Sequence, residues 1–129
     1  MNILGVDFGT KRIGLSWVDT KLDLVLPYGI IAAQTEKEKI IELSELIATD
    51  RVDKVVVGFP LGLNSKENAN TERVKKFIFQ LQKHISVPVL LFDERFSSQA
   101  GDALGKEGVS RDEKAAMAIL DGYLERSKK

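Results

Sequence analysis

Apolar and polar positions divide this chain into a strand-rich first third followed by alternating helices and strands. Ile3 to Phe8 is a nearly continuous apolar run, as expected of a strand buried on both faces. Ile13 to Val18 and Leu24 to Ala32 read as two more strands, separated by the turn-prone Asp19-Thr20-Lys21, and such short connections imply antiparallel neighbours. Thr35 and Glu38 have the spacing of a capping box, and Ile40, Leu43, Leu46 and Ile47 recur at helical intervals, so the spacing predicts a helix from Glu36 to Ala48. Asp53 to Gly58 is the next strand, central and parallel to the first. A loop runs from Gly58 through Pro60 to Asn70, and Val74, Phe77, Ile78 and Leu81 mark the helix beyond it. Val87 to Phe92 reads as a fifth strand. Ser97 or Ser98 can cap a short helix to Lys106, and Ser110 with Glu113 forms a second capping box that opens a last helix to Arg126. The order βββαβαβαα predicts an α/β domain: a mixed five-stranded sheet, three strands antiparallel and then two parallel, flanked by helices.

Composition narrows the chemistry. The 129 residues fit one domain, and 43% hydrophobic with 29% charged residues is the balance of a soluble globular chain. No apolar run approaches the roughly 20 residues of a membrane span, and the N-terminus does not read as a secretion signal, so a cytoplasmic location with no membrane partner is expected. Cysteine is absent and His84 is the only histidine, which excludes disulfides, thiolate or multi-histidine metal sites and a cysteine nucleophile. Nineteen basic and nineteen acidic residues cancel, so any nucleic-acid partner must be met by a local basic patch.

Three acids stand out. Asp7 closes the first strand and opens into Phe8-Gly9-Thr10-Lys11-Arg12-Ile13-Gly14; it can cap that turn, but a carboxylate at the end of a buried strand requires a partner or a cation. Glu94 follows the fifth strand, where Arg95 or a nearby lysine can pair with it. Asp112 shares a helical face with Ala116, Ile119 and Tyr123, which points it at the sheet, and it also suits the first turn of a helix. Parallel strands one and five end on one edge, and the last helix can lay its N-terminus across that edge. Three carboxylates brought together there would repel one another unless divalent cations lay between them, and an all-oxygen site selects Mg²⁺ or Mn²⁺. Two such ions can hydrolyse a phosphodiester without histidine or cysteine.

Four blocks resemble those of the YqgF/RuvX family: Gly5 to Gly14, Val57 to Leu61, Asp93 to Ser98, and Asp112 through Ala116 and Ile119 to Leu124. The resemblance covers nearly the whole chain in order. It implies one RNase H-like nuclease domain over residues 1–129, related to the RuvC junction resolvase. It further implies catalytic, metal-binding acids at Asp7, Glu94 and Asp112. Members act as nucleases maturing the 5′ end of pre-16S rRNA in ribosome biogenesis or as Holliday junction resolvases, so the implied partner is structured RNA or branched DNA and the chain is a monomer or a homodimer. RuvC-like enzymes carry a fourth carboxylate, for which Asp93 or Glu113 is the candidate here, and the segment Gly105 to Arg111 is shorter than in the family.

Around the acids, Lys11, Arg12 and Arg95 can hold phosphates, and Thr10, Ser97 and Ser98 can donate to phosphate oxygens. Gly9 and Gly14 read as hairpin residues, Trp17 and Tyr28 as packing residues, and His84 as a solvated helix-end residue. Two competing readings follow from the same residues. The Asp-x-Gly-Thr turn is similar to the first phosphate loop of actin-like ATPases and sugar kinases, which need two such domains. A ribosome-assembly factor that binds RNA without cutting it would have no use for three converging acids.

Overall fold

The aliphatic runs pair into one sheet in the computed structural model, which describes residues 1–9, 11–59, 69–93 and 108–127. The strands are β1 (Asn2–Phe8), β2 (Ile13–Asp19), β3 (Leu24–Ile31), β4 (Lys54–Phe59) and β5 (Val89–Asp93). The helices are α1 (Glu36–Thr49), α2 (Ala69–Gln82) and α3 (Arg111–Ser127). Strand order is β3-β2-β1-β4-β5, with β1, β2 and β3 antiparallel and β4 and β5 parallel to β1. This is the mixed five-stranded arrangement that the pattern predicts. The short helix expected between Ser97 and Lys106 lies outside the described residues.

Side-chain alternation sorts the strands into two layers. Leu4, Val6 and Phe8 of β1, Ile13 and Leu15 of β2, and Val55 and Val57 of β4 bury against Ile40, Leu43 and Ile47 of α1 and Val74, Phe77 and Leu81 of α2. On the other face Ile3, Val18, Val56 and Phe92 pack on Ile119 and Leu120 of α3. Asp7 belongs to this second face, two residues beyond Gly5 and four beyond Ile3. The capping predicted for two helices is present: the Thr35 hydroxyl accepts from the Glu38 N–H at 3.1 Å, and the Ser110 hydroxyl accepts from the Glu113 N–H at 3.1 Å. Strand β5 begins two residues later than its apolar run. Pro88 has no N–H to enter the ladder, and its carbonyl instead accepts from Val55 N at 3.0 Å.

Helix α3 lies unusually low over β1 and β2 because the residues beneath it are small. Gly5 pairs with Ser16 and Asp7 with Gly14 across the strands. A Cβ on Gly14 would sit inside the Asp112 carbonyl, and one on Gly5 would collide with Leu120 and the Ser16 hydroxyl. Buried Ser16 donates its hydroxyl to the Ala116 carbonyl at 2.7 Å, tying the helix backbone to the sheet. The hairpin role expected of Gly14 is therefore corrected. Among the described glycines only Gly29 and Gly108 have positive φ, so Gly14 serves the close passage of α3 and not the turn.

Gly14→Ala is expected to lower unfolding free energy by at least about 2 kcal/mol in urea titrations, because overpacking must lift the helix start. An unchanged midpoint would show that α3 is free to shift.

Candidate active site

The β1–β2 pairing and the seat of α3 together place Asp7 and Asp112 at one spot on the sheet edge. Asp7 stands opposite Gly14 in the ladder, where directly paired Cα atoms are about 4.5 to 5.5 Å apart. Gly14 in turn touches the backbone of Asp112. The edge in question is the carboxyl end of the parallel strands β1, β4 and β5, and Asp93, paired with Phe59, closes β5 on it. The face on which Asp7 lies also carries Phe92, two residues before Glu94 in the chain. Glu94 itself, with Thr10, Arg95, Ser97 and Ser98, lies outside the described residues.

Asp112 meets a cation. Arg12 brings its Nε to 3.1 Å from Asp112 Oδ2, with the arginine side chain 58% exposed and the carboxylate 25% exposed. An ion pair this open to water contributes about 0 to 1 kcal/mol, too little to position a helix. Lys11, exposed beside Arg12 on the same turn, adds a second positive charge to the edge.

The anchor of α3 is Glu113. Its Oε1 accepts from the Ser110 N–H at 3.2 Å and the Ser110 hydroxyl at 2.9 Å, and its Oε2 accepts from the Gly29 N–H at 2.7 Å. Hydrogen bonds to a charged acceptor contribute about 1.5 to 3 kcal/mol, so this contact outweighs the Arg12 pair. Gly29 is available because β3 carries a bulge: Gly14 pairs with Ile30 but Ser16 with Pro27, so Tyr28 and Gly29 together oppose Leu15. The bulged glycine adopts φ +95° and turns its N–H toward the helix. Burial raises the Glu113 pKa, but the hydrogen bonds from Gly29 and Ser110 more than offset it and hold the carboxyl below its usual range. With both oxygens engaged, Glu113 fixes α3 and is a poor candidate for the fourth carboxylate.

Other candidates fall where packing explains them. Trp17 stacks on Tyr28 with centroids 4.8 Å apart, and the Tyr28 hydroxyl donates to Asp50 at 2.6 Å, a bond that pushes its pKa up to about 12. His84 is exposed just beyond α2. Two features escaped the sequence reading. The bulge at Tyr28 and Gly29 depends on the pairing with β2, and Pro27 and Gly29 inside the strand mark an irregularity without fixing its register. Arg73 of α2, whose guanidinium carbon lies 5.1 Å from the Phe8 ring centroid, carried no signal beyond its four-residue spacing from Phe77.

The family model for RuvX, described as Holliday junction resolvase, matches residues 1–126. The chain belongs to the RuvX family. Among curated members, a protein of Maridesulfovibrio salexigens named "Putative pre-16S rRNA nuclease" is 34% identical over 98% of this chain and 100% of its own length. A protein of the same name from Anaeromyxobacter dehalogenans is 35% identical, covering 98% of each chain. Among solved structures, the RuvX-family chain is similar to Thermus thermophilus RuvC in complex with a Holliday junction substrate, with TM-score 0.72, 15% identity and coverage of 99% and 95%. It is also similar to the Fowlpox virus resolvase bound to Holliday junction DNA, with TM-score 0.62, 16% identity and full coverage of both chains. At these identities the likeness shows the fold, which is the RNase H-like fold of the resolvases.

Glu113→Gln is expected to cost about 1 to 2 kcal/mol at pH 7. Because the folded-state pKa is depressed, the wild-type advantage is complete above the ordinary carboxyl pKa of 4.5 and disappears as pH falls through the lower folded value. Urea unfolding of both proteins across that range checks it, and a gap that widened in acid would contradict the clamp.

Proposed function

We propose that this chain is a divalent-metal-dependent endonuclease that trims the 5′ end of precursor 16S rRNA in the cytoplasm. The observation that carries the reading is that Asp7 stands opposite Gly14 at the carboxyl edge of the sheet, against which the backbone of Asp112 lies. The residues present suit Mg²⁺ or Mn²⁺, since both donors are carboxylates and no cysteine competes. Among the described residues no group of three potential ligands comes together, and Glu94, next after Asp93, is the residue assigned to complete the set. Divalent ions held there would supply activated water and charge stabilisation at the leaving oxygen.

The chain's own residues have separate tasks. Asp7 and Asp112, with Glu94, would hold the ions. Arg12 pairs with Asp112, a contact that a bound metal would replace, and with Lys11, Thr10, Arg95 and Ser97 it would bind the phosphates of the strand. Glu113 keeps the start of α3 in register throughout. Hydrolysis adds water across one P–O bond of the strand, and the whole domain, residues 1–129, works as one unit.

RNA is preferred to branched DNA because the relatives sharing 34–35% identity over nearly their full length carry the rRNA nuclease name. The alternative, a Holliday junction resolvase, is supported by the description of the family model, while the junction-bound neighbours, at only 15–16% identity, add the fold alone. A junction resolvase would cut two strands and call for a symmetric dimer, whereas trimming one strand does not.

Wild type with Mg²⁺ or Mn²⁺ is expected to cut a labelled pre-16S 5′ leader, to stop in EDTA, and to lose at least about 100-fold in rate on Asp7→Asn. Cutting of a four-way junction in place of the leader would select the resolvase. Folded protein that binds RNA and cuts neither would sink the catalytic reading in favour of an assembly factor.

A further inference from the structure

Arg73 is a charged residue that the site described above does not use. It lies in the second turn of α2, on the layer opposite α3, and its guanidinium rests over Phe8, which in turn stacks on Phe77 with centroids 4.2 Å apart. Phe8 is the last residue of β1 and the immediate neighbour of Asp7. Arg73 therefore stands at the same sheet edge as the two acids, one layer away. Its Nε is buried and has no hydrogen-bond partner among the described residues, the only buried side-chain nitrogen or oxygen there in that condition.

A structural account of this side chain does not close. Covering Phe8 is a task for any long apolar stem, and methionine would perform it with no donor to satisfy. A cation over an aromatic ring returns about what an orphaned buried donor costs, which leaves no net gain. The guanidinium gains on balance only when an acceptor arrives, and the acceptor that fits Nε together with one Nη is a planar or tetrahedral oxyanion.

We infer that Arg73 is a phosphate contact for the nucleic-acid strand, gripping a phosphodiester next to the one presented to Asp7 and Asp112 as its guanidinium turns off the face of Phe8. This rests on the nuclease reading for the ligand's identity. It extends the substrate path across the sheet edge, from the Lys11–Arg12 turn on one side of β1 to α2 on the other. A phosphate contact is read by charge and shape, so Arg73 tightens binding without choosing bases.

The test measures binding without cleavage. A fluorescent single-stranded RNA of the pre-16S leader is titrated in EDTA at several salt concentrations with wild type, Arg73→Met and Arg73→Lys, and thermal melts are recorded beside each. Arg73→Met is expected to melt at or above the wild-type temperature, to bind about 5- to 10-fold more weakly, and to lower the slope of log affinity against log salt by about 1. Arg73→Lys keeps the charge without the fork and is expected to fall between the two. Unchanged affinity and slope in both variants, with any effect confined to melting, would overturn the assignment and make Arg73 a packing residue. Should Arg73→Met fail to fold, Arg73→Lys with wild-type affinity and slope would overturn it equally. Failure of the nuclease reading looks different: weaker RNA binding by the Arg73 variants, in a wild type that never cuts with metal, keeps the phosphate contact and removes the catalysis.

Discussion

The close passage of α3 over Gly14 and Gly5 is the constraint on which the rest of this molecule depends. A helix normally stands off a sheet by the thickness of its side chains, and here that layer is missing along the β1–β2 pair, where Gly5, Gly14 and Ser16 lie beneath it. The helix backbone drops far enough for the Ala116 carbonyl to receive the Ser16 hydroxyl. That drop brings Asp112, at the helix start, against the residue paired with Asp7. Without it, two acids separated by 105 positions in sequence would have a full layer of side chains between them.

Seating the helix start is a separate problem, because its first N–H groups need acceptors and its first turn lies near solvent. The Ser110 hydroxyl meets the first need by accepting from the Glu113 N–H, and the Glu113 side chain meets the second. It completes the capping box with Ser110 and reaches across to the bulged Gly29 of β3, so the edge strand and the last helix share one carboxylate. Asp112, next in the chain, is thereby left for an exchangeable partner. Arg12 is such a partner: a half-exposed guanidinium that offsets the carboxylate at small energetic gain and can be displaced at small cost. A permanent buried salt bridge would have blocked the site, since breaking one costs several kcal/mol.

Much of this was legible in the chain. Five strands announce themselves because β1 and β4 are buried on both faces and carry unbroken aliphatic runs, and the last helix declares its inward stripe through Asp112, Ala116 and Ile119. What stayed hidden depends on pairing. The bulge at Tyr28 and Gly29 exists only in register with Leu15, so no local pattern encodes it. Gly14 reads as a turn residue because it stands near a turn, while its real neighbour is a helix nearly a hundred residues away. Glu113 looked like a spare acid for the same reason, since its Gly29 partner is invisible from position 113 alone. Thr10, Glu94, Arg95, Ser97 and Ser98, the remaining legible candidates, lie outside the described residues.

The central claim is that Asp7, Glu94 and Asp112 form one metal centre from which Arg12 withdraws. Crystals soaked in Mn²⁺ and measured at the manganese absorption edge test it directly. The account predicts an anomalous peak within coordination distance of oxygen atoms of all three carboxylates, with Arg12 moved off Asp112. Manganese bound elsewhere, or no peak while Arg12 still holds Asp112, would contradict it.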